Sequence, residues 1–165
     1  MVRAAALLKD RKVPVRFTLY GGGVDLERYK QLAGTLGVSE FVRFPGSLNP
    51  GVELQQALND SDIFLMPHLT TDFGRAFFDA MAAAAPVIAF RSVASQDTVR
   101  HDVDGVITPN ADFESLADAI GRFHRNRELL VRCSTAARER ALVNTKSDWH
   151  RMRAQVIRDT LFPAN

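Results

Sequence analysis

The feature that most restricts how this chain can fold is an alternation. Short apolar runs of strand length recur between longer segments in which apolar residues fall three and four apart. The runs lie at residues 13–20, 41–44, 63–66, 86–90 and 105–108. Four of the five are mostly apolar instead of alternating, the pattern of strands covered on both faces. Helical spacing fills 25–36, 51–58 and 74–84, where Phe77, Met81 and Ala84 form one stripe. After the last run the chain is wholly helical over 112–123, 127–141 and 147–161, with Asp112 as an N-cap and Pro163 as a stop. Strands separated by crossover helices predict an α/β chain with a doubly wound parallel sheet and a helical C-terminal segment. In such sheets ligands bind beyond the carboxyl ends of the strands, so the loops after Tyr20, Phe44, Met66 and Phe90 are where chemistry is expected.

Composition excludes several alternatives. With 46% apolar and 24% charged residues the chain is globular, neither disordered nor fibrous. Its 165 residues carry no repeat or linker, so 1–165 reads as one domain. The lone Cys133 permits no internal disulfide and no thiolate metal cluster, which fits a reducing compartment. The apolar patch at residues 4–8 is cut off by charge at once, too short for a leader or a membrane span, and a cytoplasmic location is expected. The net charge of +2 conceals a basic tail, with ten Lys/Arg against four Asp/Glu from Ile120 onward. That tail reads as a solvated helix face paired in part to Glu128, Glu139, Asp148 and Asp159, with contact to an anionic membrane as the alternative. No aromatic residues interleave with the charges, so nucleic acid is not an expected partner.

Three loops carry candidate chemistry. Gly21, Gly22 and Gly23 lead from a strand into a helix, where backbone amides can approach a phosphate. The third position of a dinucleotide fingerprint is Leu26, so a nicotinamide site is poorly supported and the run serves equally as a tight turn. Phe44, Pro45 and Gly46 end the next strand, offering a backbone edge to a nucleobase or simply a turn. In the third loop Thr70, Thr71 and Asp72 are candidate caps, Gly74 leaves helix amides uncovered for a diphosphate, and Arg75 adds a cation. Arg75 and Asp79, four apart, share a face turned from Phe77 and Met81. The carboxylate suits ribose hydroxyls; the simpler alternative is a helix ion pair. His68, His101, His124 and His150 stand alone, and no nucleophile, base and orienting acid converge in the sequence.

Taken in order, the blocks G-G-G, V-R-F-P-G, D-I-F-L-M-P, T-D-F-G-R-A-F-F-D-A-M-A, P-V-I-A-F and D-G-V-I-T-P resemble the carboxyl-terminal donor domain of the family-four retaining glycosyltransferases, glycosyl transferases group 1. The resemblance spans residues 13–149 and implies a Rossmann-like half of a GT-B fold. It implies sugar transfer, with retention, from a nucleoside diphosphate sugar to a sugar or lipid-linked acceptor held by a separate amino-terminal domain. The expected setting is cell-surface polysaccharide or glycoconjugate synthesis at the cytoplasmic face of the membrane. No metal or other cofactor is implied, because basic residues and helix amides hold the diphosphate. By position, Gly21, Gly22 and Gly23 fall near the phosphates and Phe44, Pro45 and Gly46 near the base. Phe73, Gly74 and Arg75 fall at the diphosphate, and Asp79 at the acid that binds the ribose.

Three departures accompany the resemblance. Thr71 stands where the family's sugar-contacting glutamate sits, with Asp72 as its substitute. Ala84 replaces a glycine that ends a helix. The chain also starts after the strand and loop that carry the family's diphosphate-clamping Arg and Lys, so residues 1–10 read as the end of a helix. The implied domain lacks its first strand and the acceptor domain, and an open sheet edge implies self-association. The alternative implied by that start is a nucleotide-binding or partner-dependent fragment without turnover.

Overall fold

The computed structural model describes residues 1–69 and 74–162. In chain order the elements are α1 (Val2–Asp10), β1 (Phe17–Tyr20), α2 (Leu26–Thr35), β2 (Val42–Gly46), α3 (Val52–Asn59), β3 (Phe64–Met66), α4 (Ala76–Ala82), β4 (Val87–Phe90), α5 (Val93–Thr98), β5 (Gly105–Thr108), α6 (Phe113–Arg125), α7 (Arg127–Leu142) and α8 (Lys146–Leu161). The expected alternation of strands and helices is present, and every strand pairing is parallel. Among the described residues the strands form two sheets, one of order β1-β2 and one of order β3-β4-β5.

Local chemistry explains most boundaries. The first strand is shorter than expected because the Val13 amide still bonds the Leu8 carbonyl, finishing α1, and extended pairing starts at Phe17. Between Thr18 and Tyr20 the β1-β2 register slips, opposite the stretch that holds Pro45. Proline has no N–H to give the ladder, which suits it to an irregular position. β4 is buried at all four residues, as its continuous apolar run requires. The short helix α5 was not legible as an apolar stripe. It is set by Ser92, whose hydroxyl accepts from the Ser95 amide while the Ser95 hydroxyl accepts from the Ser92 amide. Asp112 caps α6 as expected, accepting from Ser115 N–H at 3.0 Å.

α4 starts at Ala76, two residues beyond the expected start at Gly74, and ends at Ala82. There Ala84 N–H donates to Met81 and Ala85 N–H to Ala80, with Ala84 at φ 59°. This is a Schellman ending with alanine in the left-handed position usually given to glycine.

Two apolar clusters stabilise the domain. One gathers Leu8, Val38, Leu116 and Phe123 around α1, β1, β2 and α6; the other packs Met81 of α4 and Val87 of β4 with Ala137 of α7. Arg11 ties α1 to α6 through Glu114 at 2.7 Å and Asp118 at 2.9 Å. The loop before β5 is anchored by the fully buried Asp104, which accepts from the Arg100 amide at 2.7 Å and its guanidinium at 2.6 Å. A buried carboxylate is tolerable only with such donors. α8 buries no residue, leaving Trp149, Met152, Val156 and Ile157 exposed beside its arginines.

Candidate functional site

The carboxyl ends of β1, β2 and β3 carry the candidate residues. The Gly21 amide donates to the Gly46 carbonyl at 2.9 Å, so the glycine loop and the loop after β2 close against each other. Gly21, Gly23 and Gly46 have φ of 128°, 136° and 92°, which side chains rarely adopt. A Cβ at any of the three would meet no protein atom within 4 Å. Backbone conformation, not protein crowding, therefore demands glycine there. Gly22 lies against Ser47, whose Oγ would be 3.9 Å from its added Cβ.

A cavity of about 1810 Å³ opens beside these loops. At this end it is lined by Gly21, Ser47, Pro67, His68 and Leu69, from the loops after β1, β2 and β3, and by Ala76 at the start of α4. The loop after β4, expected to join them, does not line the cavity: Ser92 is used to cap α5. Of the residues expected at a donor site, Gly21 lines the cavity directly, while Gly22, Gly23, Phe44, Pro45, Gly46, Gly74, Arg75 and Asp79 lie outside its lining. Phe44 packs against the first apolar cluster and Pro45 is exposed. Gly74 is half-buried beside Phe77 and Met66, and because α4 starts at Ala76, it is not itself the helix start. Thr70, Thr71, Asp72 and Phe73 fall outside the described residues.

Arg75 and Asp79 share a face of α4, as their spacing requires, with Nε 3.4 Å from Oδ2 and Phe77 and Met81 buried on the other side. The Arg75 side chain is 85% exposed, so this ion pair is worth a few tenths of a kcal/mol and either partner is free to turn to a ligand. Ser47, His68 and Leu69 were not singled out as a group by sequence reasoning. Their common signal is position, each lying just beyond a strand end.

Carboxylates with displaced acidity lie elsewhere. A hydrogen bond from Arg122 holds Asp102 below the usual range, and Ser115 and Thr145 do the same for Asp112 and Asp148 at helix caps. These are structural ion pairs and caps. Among the described residues no three His, Cys, Asp or Glu side chains are gathered to hold a metal, and no helix is long and apolar enough to cross a membrane.

Comparison with known proteins adds to this geometry. The sequence pattern described as "Glycosyl transferases group 1" matches residues 1–140. The GDP-mannose-dependent alpha-(1-6)-phosphatidylinositol monomannoside mannosyltransferase of Mycobacterium tuberculosis is 30% identical over 146 residues, covering 84% of this chain and 38% of that protein. The amylovoran biosynthesis glycosyltransferase AmsK of Erwinia amylovora is 30% identical over 156 residues, covering 90% of this chain and 37% of that protein. The chain thus spans well under half the length of these curated relatives. Among solved structures, a mutant of TarM from S. aureus in complex with fondaparinux, alpha-GlcNAc-glycerol and UDP superposes with a TM-score of 0.83 at 20% identity, over 94% of this chain and 31% of TarM.

Proposed function

Because the chain belongs to the glycosyl transferases group 1 family, we propose that it is the part of a retaining glycosyltransferase that binds the nucleoside diphosphate sugar. The observation that carries this reading is the convergence of the loops after β1, β2 and β3 on one cavity mouth, with Arg75 and Asp79 on the next helix. A parallel sheet gathers ligand-binding groups at that end. Glycines at positive φ leave the mouth free of side chains, so amides of Gly22 and Gly23 can face phosphate oxygens.

In this reading Arg75 leaves its weak contact with Asp79 and neutralises the diphosphate, while the Asp79 carboxylate accepts the ribose hydroxyls. The base lies against the backbone of Phe44, Pro45 and Gly46. Thr71 and Asp72 contact the sugar, and Phe73 and Gly74 adjoin the diphosphate. No metal is required, since the leaving diphosphate is held by cation and amides. The acceptor, a sugar or a lipid-linked sugar, is held by a separate domain, and transfer serves polysaccharide or glycolipid synthesis at the cytoplasmic face of the membrane. Support for that setting comes from the relatives' roles and from α8, whose exposed Trp149, Met152 and Ile157 accompany Arg151, Arg153 and Arg158. The isolated chain binds donor without turnover.

Calorimetric titration with UDP, GDP and ADP tests this directly. Micromolar binding of one nucleotide is expected, weakened about tenfold or more in both Arg75→Ala and Asp79→Ala. Binding that neither variant alters would remove the donor site from α4. Failure of every nucleotide to bind the folded chain would remove the assignment itself.

A further inference from the structure

His68 stands at the cavity mouth without a partner. It lies two residues beyond the end of β3, is exposed, and lines the mouth with Gly21, Ser47 and Ala76. Pro67 precedes it, and the pyrrolidine ring fixes a backbone torsion between the strand end and the imidazole. Among the described residues His68 makes no hydrogen bond and no ion pair. His101 differs, because its Nδ1 accepts from the Ile107 amide at 3.0 Å and the ring is engaged by its own backbone.

Packing brings this ring to the same end of the sheet as Arg75. Gly74 lies against Met66, the last residue of β3, since a Cβ added to Gly74 would fall 3.7 Å from the Met66 Cε. Arg75 follows directly, and Ala76, next in the chain, lines the mouth with His68. The Arg75 Nε is 3.4 Å from Oδ2 of Asp79, one turn further along α4. From the body of α4 to the end of β3 the polar groups therefore come in the order Asp79, Arg75, His68. A ligand with its ribose on Asp79 and its diphosphate on Arg75 carries its distal phosphate toward His68.

Building on the donor-site reading, we propose that His68 is a specificity-determining residue of that site. Its imidazole donates an N–H to a distal-phosphate oxygen of the nucleoside diphosphate, so the site prefers a diphosphate to a monophosphate. Imidazole suits this role in either charge state, because the neutral ring keeps one N–H and the cation has two. An N–H given to an ionised oxygen is about twice as strong as a neutral hydrogen bond. His68 gives up no protein contact to make it, whereas Arg75 must leave Asp79.

The test is calorimetric titration, at one pH, of the whole chain, His68→Ala and His68→Gln with UDP, GDP and ADP and with UMP, GMP and AMP. His68→Ala is expected to weaken the diphosphate that binds by about tenfold and its monophosphate by about twofold or less. His68→Gln keeps an N–H donor and is expected to recover part of the loss. Because the ring is exposed and unpartnered, both variants should keep the urea midpoint of the parent. A second measurement needs no variant protein to bind: in the parent chain the ring nitrogen resonances of His68 are expected to shift saturably with inorganic pyrophosphate, while those of His150 stay in place. Unchanged diphosphate affinity in His68→Ala, equal losses for monophosphate and diphosphate, or His68 resonances that pyrophosphate does not move would overturn the proposal. If Arg75→Ala loses the diphosphate while His68→Ala retains it, the donor site stands and only the role of His68 falls. If no nucleotide binds the parent chain, the donor-site reading falls and takes this proposal with it.

Discussion

Replacing Ala84 by glycine is expected to stabilise this protein, against the usual effect of adding glycine near a helix. Ala84 holds φ 59° at the end of α4, with its amide on Met81 and the next amide on Ala80. An L-residue in that left-handed conformation carries roughly 1–2 kcal/mol of steric cost, which glycine does not. Against this stand the greater freedom of glycine in the unfolded chain, about 0.4–1 kcal/mol, and a few tenths for one half-buried methyl. The balance favours Ala84→Gly by roughly 0.5–1 kcal/mol, and at about 2–4 °C per kcal/mol for a domain of this size Tm rises by roughly 1–4 °C. Urea titration should show a higher midpoint with an unchanged slope. Ala82→Gly, inside the same helix, is the control and should lose about 1 kcal/mol. Equal losses in the two variants would refute the reasoning, because they would mean the left-handed strain at Ala84 is not released by glycine.

Two further outcomes follow from packing and charge. A Cβ at Gly105 would lie inside contact distance of the Val87 carbonyl oxygen and press on Val99, so Gly105→Ala must push β5 off β4; a loss of about 3 kcal/mol or more is expected, and an unchanged urea midpoint would show that the β4-β5 pairing is looser than described. Asp102 has its folded pKa lowered by the Arg122 hydrogen bond, so its contribution to stability is present above the unfolded value of about 3.9 and is lost as pH falls through the lower folded value. The parent chain should therefore lose stability more steeply below about pH 4 than Asp102→Asn does, read as urea midpoint against pH; parallel curves would mean that the bond to Arg122 has no net effect.

Elements whose cause is local were legible before any coordinates. The runs that became β4 and β5 needed no partner to be recognised, because a strand covered on both faces must be apolar throughout. Asp112 as a cap and the Arg75–Asp79 face of α4 follow from spacing of a few residues. The glycines at 21, 23 and 46 were visible as punctuation, but the reason for them, positive φ, is a property of the folded backbone. α5 escaped because a serine capping box in a six-residue helix leaves no apolar stripe to read.

Partnership between distant segments was decided by the tertiary structure. Nothing local to residues 21 and 46 announces that their backbones bond to each other, or that Ser47 and His68 line one cavity. The withdrawal of the loop after β4 from that cavity, through the Ser92 cap, depends likewise on how the chain packs. Most of all, the strand pattern foretold parallel pairing but not which strands pair. A strand's edge is made of N–H and C=O groups that every residue except proline carries alike, so side chains write which faces are buried, and the folded chain alone shows that, among the described residues, β1 pairs with β2 while β3, β4 and β5 pair in a second sheet.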